Sequence, residues 1–170
     1  MPALRTLLKA AAFGAVCAAT LTAGDPVPRA TLPDPVAEAV RGVFPRGPIT
    51  AVVYDDLPDG REYETQLKVD GRDAYVVATA DGVVIETGQA IDEQAVPAEV
   101  RATMGREAPE GGVVTECFRR EFHRNADGEP LETPSVLFEI TFGAGRDERF
   151  LAVNADGSLR SPEPRTGEGE

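Results

Sequence analysis

The stretch from Tyr63 to Gly82, YETQLKVDGRDAYVVATADG, is written a second time as FEITFGAGRDERFLAVNADG from Phe138 to Gly157. At the constant offset 138 − 63 = 75, Tyr63 meets Phe138, Glu64 meets Glu139, Leu67 meets Phe142, Tyr75 meets Phe150, and Ala80-Asp81-Gly82 meets Ala155-Asp156-Gly157. Two aromatic pairs and an identical tripeptide in one register point to a chain built from the same strand-turn-strand segment twice. An earlier recurrence runs at offset 64, where Val96-Pro97-Ala98-Glu99-Val100 follows Leu32-Pro33-Asp34-Pro35-Val36, and Pro109 and Gly111 follow Pro45 and Gly47. The difference, 75 − 64 = 11 residues, falls in the first hairpin of the second copy and predicts the longest loop near residues 119–134.

Within each copy the periodicity is read the same way. Leu32-Pro33-Asp34-Pro35 opens a helix in which Asp34 is placed as the cap and Pro35 at the first helical position, with Val36, Val40, Val43 and Phe44 on one stripe. Alternation then predicts strands over about 49–55, 61–69, 73–79 and 83–87, with Pro58-Asp59-Gly60, Asp70-Gly71 and Ala80-Asp81-Gly82 as turns. The second helix uses Val100 and Met104 where the first uses Val36 and Val40, and a last strand is expected at 158–160. The fold class expected is α+β, two tandem repeats, each one helix packed on an antiparallel sheet of about four strands. The repeats span 32–90 and 91–160 and form one tandem body, because a unit of that size is marginal alone.

Both ends fall outside that body. Residues 1–23 have the layout of a signal peptide: Arg5 and Lys9, an apolar run from Ala10 to Leu21, and small residues from Ala18 to Gly24. The run is shorter than the ~20 apolar residues that span a bilayer, so it is expected to be cleaved, leaving no integral membrane segment and a secreted or periplasmic product. Val16 stands where a lipobox before Cys17 needs a small residue, so a free mature protein is preferred over a lipoprotein. Residues 24–31 read as a linker and 161–170 as a disordered acidic tail. Losing residues 1–23, which hold two basic and no acidic residues, takes the formal charge from −12 to −14. A chain so acidic lacks the basic footprint of a nucleic-acid binder. One cysteine of two remains, Cys117, so no intramolecular disulfide supports the core.

The Leu32-Pro33-x-x-Val36 and Val96-Pro97-x-x-Val100 openings, the Pro-x-Gly helix stops and the twice-written strand-ADG-strand endings resemble the PepSY-like family and its tandem β-lactamase-inhibitor-like relatives. The resemblance covers about residues 32–160. It implies helices on one face of a joined sheet and a partner protein on the opposite face, with some relatives restraining peptidases or other secreted enzymes. The chain departs from the disulfide-bearing inhibitors in its single mature cysteine, and nothing in it matches a specific inhibitory loop.

Catalytic chemistry would have to start from Cys117 and His123. Six residues of strand hold their backbones about 20 Å apart, too far for a base to activate a thiol. The sequence has no G-x-S-x-G, H-E-x-x-H, C-x-x-C or phosphate-cradling glycine loop. It has no EF-hand spacing, and one histidine cannot build a zinc shell. The chain is therefore read as a non-enzyme without cofactor or metal. Its partner-binding candidates are Tyr54, Phe118, Arg119, Arg120, Phe122, His123 and Arg124. The last five concentrate positive and aromatic character in the long hairpin of an acidic protein, while Tyr54 and Phe118 are the candidates of the sheet face. On the sheet, Tyr63, Leu67, Phe138 and Phe142 are expected to face the helices, and Glu64, Lys68, Glu139, Tyr54, Phe118, Val76 and Leu151 to face away. The leading function is an exported binding module, a monomer, that recognises an exported protein or peptide through that sheet face and the hairpin and restrains a secreted peptidase or hydrolase. The alternative is a small-ligand or cation-binding envelope protein that uses its acidic turns, where a calcium ion would sit.

Overall fold

β-branched and aromatic residues at alternate positions, cut by Asp-Gly and Pro-Asp-Gly turns, leave most of this chain no option but extended structure. The computed structural model describes residues 25–26, 32–58, 60–144 and 147–160. The expected signal peptide, nearly all of the linker, and the tail lie outside the described residues. The strands are β1 (Asp25–Pro26), β2 (Ile49–Leu57), β3 (Gly60–Val69), β4 (Arg72–Thr79), β5 (Val84–Ala90), β6 (Val113–Arg124), β7 (Pro130–Ala144) and β8 (Asp147–Asn154). They form one antiparallel sheet in the order of the chain. The β3–β4 turn is the two-residue kind whose φ angles are both positive, 50° at Asp70 and 81° at Gly71, matching the right-handed twist of its strands.

Helices α1 (Asp34–Val43) and α2 (Ala98–Glu107) lie against β4 and β8. Each begins after a proline, Pro33 or Pro97, with no side-chain cap, so Asp34 is the first helical residue rather than the cap. Its carboxylate acts there on the helix dipole. Val36 and Val40 close over Val52, Tyr63, Leu67, Val76 and Ala78. Val100 and Met104 close over Cys117, Phe138, Ile140, Phe142, Leu151 and Val153. Directly paired residues share a face of a sheet, and the row Leu67, Ala74, Gln89, Arg119, Phe138, Val153 crosses six strands. Both helices therefore cover the same face.

This topology corrects the expected fold class of two tandem repeats, each a helix on its own antiparallel sheet of about four strands. β5 pairs with β6 from Glu86↔Phe122 to Ala90↔Phe118, so the ladder runs unbroken across a single, predominantly β structure with two ten-residue helices among the described residues. The fourth strand expected at 158–160 is only an isolated bridge, Val153↔Leu159. The eleven extra residues do not make a loop either: β6 and β7 are 12 and 15 residues long and only residues 125–129 separate them. That length gives β6 a free edge for β5, and pairing two edges removes exposed N–H and C=O groups. The recurrence thus records local packing rather than separate sheets, and even that fails at one position, where Tyr75 is 5% exposed and Phe150 57%.

Candidate binding face

The face away from the helices is built by the other set of alternate residues. Its central row runs Gln66, Tyr75, Gly88, Arg120, Leu137, Asn154, and the next runs Ala90, Phe118, Glu139, Ala152. Tyr75 on β4 and Phe118 on β6 reach across β5 and stack, with centroids 5.7 Å apart and ring planes 9° from parallel. Only a residue without a side chain fits under them. A Cβ on Gly88 would lie 2.2 Å from Tyr75 Cε1 and 2.5 Å from Phe118 Cε1.

Beside the stack, Arg120 is 4% exposed and holds two carboxylates. Its Nε donates to Glu86 Oε1 at 2.7 Å and its Nη1 to Glu139 Oε1 at 2.6 Å, while the Tyr75 hydroxyl donates to the same Glu86 oxygen. The guanidinium also lies 4.9 Å from the centroid of Phe122, with Arg160 at 5.6 Å from that ring. Burial alone would lower the pKa of Arg120, but Tyr75, Glu86 and Glu139 outweigh it and hold the guanidinium charged. Burial pushes the Tyr75 phenol well above its ordinary range, and the Glu86 charge adds to that.

Around this centre the face is rich in carboxylates. Pairing puts Asp55, Glu62, Glu64, Asp73, Glu86, Glu116, Glu139 and Glu148 on it, against Lys68 and Arg120 in the same strands and Arg160 beside Phe122. Two of these acids are held above the usual carboxylate range. Glu64 is raised by burial and then by Glu86 and Asp55, and Glu116 by burial and then by Asp73, Glu139 and Glu148. The face also carries two of the exposed large apolar side chains, Phe150 at 57% and Val113 at 67%. Among the described residues no group of three or more His, Cys, Asp or Glu side chains is placed to hold a metal ion.

The residues singled out in the sequence divide between the two faces. Phe118, Arg120 and Phe122 share the helix-free face. Arg119 and His123 point to the helix side, where Arg119 pairs with Glu121 and His123 Nε2 is 4.0 Å from the same carboxylate. Arg124, at the end of β6, donates to the Gly128 carbonyl. Tyr54 is on the helix side too, packed against the α1 core with its ring 6.2 Å from Tyr63 and the Arg61 guanidinium 4.0 Å above it. Val76 and Leu151, expected to face away, are buried under the helices instead. Sequence reasoning missed Tyr75, Glu86 and Gly88. The signal was present: Ala74, Val76 and Ala78 alternate with Tyr75 and Val77, and an isolated glycine inside a strand marks a close approach.

No protein-family model and no curated protein matches the sequence. Solved structures do match the fold. A BLIP-like protein from Bacteroides fragilis superposes with a TM-score of 0.51 at 19% identity, over 75% of this chain and 82% of that one. A DUF2874 family protein from Bacteroides ovatus gives 0.56 at 15%, over 77% and 86%. A Bacteroides eggerthii protein with a provisional periplasmic designation gives 0.55 at 20%, over 75% and 84%. At such identities the likeness is one of fold. The secreted or periplasmic location read from the N-terminus agrees with that last neighbour, and no helix among the described residues is long and apolar enough to cross a membrane.

Proposed function

We propose that this protein is an exported, non-enzymatic binding module of the PepSY-like kind, and that it holds another polypeptide on the helix-free face of its sheet. The observation that carries this is the Tyr75–Phe118 stack over Gly88, flanked by Arg120 with its two carboxylates and by exposed Phe150 and Val113. Tyr75, Phe118 and Arg120 are themselves closed off in the free protein and form a rigid floor, while Phe150 and Val113 beside them stay open to solvent, and such apolar side chains on an ordered face are what an interface covers. Restraint of an exported peptidase or hydrolase belongs to the same reading, supported by the BLIP-like neighbour. Of the seven residues singled out in the sequence, Phe118, Arg120 and Phe122 stay with this face: Phe122, with Phe150 and Val113, as contacting side chains, and Phe118 and Arg120, with Tyr75, as the floor that holds them. A photo-crosslinking residue at Phe150 should attach a discrete exported polypeptide, whereas the same probe at exposed Arg101 on α2 should not. Equal labelling from both positions contradicts the proposal.

A further inference from the structure

The charge on this face says what it can receive. Resting on the reading that the face is a binding surface, we infer that the segment received is cationic: an extended strand or loop of the partner presenting lysine or arginine to the carboxylates around the Tyr75–Phe118 stack. Arg120 is committed to Glu86 and Glu139 through short charge-assisted bonds, and Lys68 to Asp73 at 2.7 Å. Among the described residues the glutamates of the face, Glu64, Glu86, Glu116, Glu139 and Glu148, outnumber these cations, and they repel one another. Glu64 sits within the field of Glu86 and Asp55, and Glu116 within that of Asp73, Glu139 and Glu148. A like-charged cluster on a half-buried surface destabilises the free protein, and an arriving cation relieves it. Phe150, 57% exposed on the same face, adds to the selection, because the open face of its ring offers a guanidinium both apolar contact and ring electrons. An acidic segment would meet the opposite: desolvation of its own charge beside carboxylates that already repel.

The probes are two hexapeptides, one alternating arginine with alanine and one alternating glutamate with alanine, titrated into the protein by calorimetry and by amide chemical shift at low and physiological salt. The inference predicts that the arginine peptide binds, that salt weakens it, and that its shifts cluster on residues 62–68, 86–90, 116–122, 139–143 and 148–150. The glutamate peptide should not bind. Glu64→Gln and Glu116→Gln together, which leave the Arg120 pairs intact, should weaken the arginine peptide about fivefold, the size expected for two partly exposed ion pairs. Glu107→Gln on the helix side should leave it unchanged. If both peptides bind to this face, or if the double replacement changes nothing, the charge selection is wrong while the face remains the binding surface. If the arginine peptide shifts the helices instead, the choice of face is wrong as well. No binding by either peptide overturns the charge selection alone, because the crosslinking from Phe150 tests the face without it.

Discussion

The rings of Tyr75 and Phe118 lie 5.7 Å apart and nearly parallel, joined across a strand that belongs to neither of them. They can meet only because Gly88 leaves the space between β4 and β6 empty. Gly88→Ala should therefore displace both rings and destabilise the protein by about 3 kcal/mol, the upper end for overpacking a closed site. Gly42→Ala, in α1 with nothing within 4 Å of the added carbon, should instead stabilise by ~0.5–1 kcal/mol. Urea denaturation of the two variants checks both signs.

The twice-written Ala-Asp-Gly owes its recurrence to the turn that follows β4 and the turn that follows β8. Gly82 and Gly157 have φ of 84° and 83°, and a Cβ on either would lie 2.6 Å from the Pro35 carbonyl oxygen or 2.8 Å from that of Glu99. Each glycine thus lets a turn dock on the first turn of a helix. Thr103 Oγ1 fastens the second contact by donating to the Gly157 carbonyl at 2.6 Å. Alanine at either position should cost about 2–3 kcal/mol, more than the ~1–2 kcal/mol expected of Gly128→Ala, which has a positive φ in open space. Thermal unfolding of the three variants gives the order.

Glu64 and Glu116 are held above the ordinary carboxylate range in the folded protein, by burial first and by neighbouring carboxylates second. In the pH range just above their unfolded value the native state binds more protons than the unfolded one, so stability falls as pH rises through that window. The contribution of these two groups is present at low pH and lost towards neutrality. Asp56, Asp81 and Asp156, lowered by their side-chain hydrogen bonds, act in the opposite sense at lower pH. Glu64→Gln with Glu116→Gln should raise stability at pH 7 and leave it little changed near pH 4. Denaturation midpoints of parent and variant between pH 4 and 7 should converge as pH falls.

Cys117 is 3% exposed in the α2 core, and burial pushes its thiol up to about 11. Thiolate is the reactive form and access is closed. A disulfide reagent at pH 8 should modify Cys117 only at the rate of global or local opening in the folded protein, and at once in urea.

Strands, turns and the burial of Val36, Val40, Val100 and Met104 were legible because they follow from period and turn chemistry. The joined sheet was not. Periodicity marks residues 83–87 as extended but leaves residues 119–134 to a loop, and it is silent on the pairing of β5 with β6, which comes from two edges meeting across an intervening helix. Side assignments failed for a related reason. Tyr54, Val76 and Leu151 were put on the outer face from their place in the recurrence, whereas register puts Tyr54 opposite Tyr63, Val76 opposite Thr65 and Leu151 opposite Ile140. The Arg119–Arg124 cluster was recognised, but strand alternation splits it, sending Arg120 to one face and Arg119 to the other.

The account stands on the helix-free face being the binding surface. Its most direct measurement is retention of the crosslinked polypeptide by a variant with Phe150→Arg and Val113→Arg, compared with Arg41→Glu on α1, each first shown to unfold cooperatively. The account predicts that the double variant loses the partner by at least about a hundredfold, as expected when ~3 kcal/mol of apolar interface contact is replaced by buried charge, while Arg41→Glu retains it. Full retention by the double variant, or loss by Arg41→Glu alone, would contradict it.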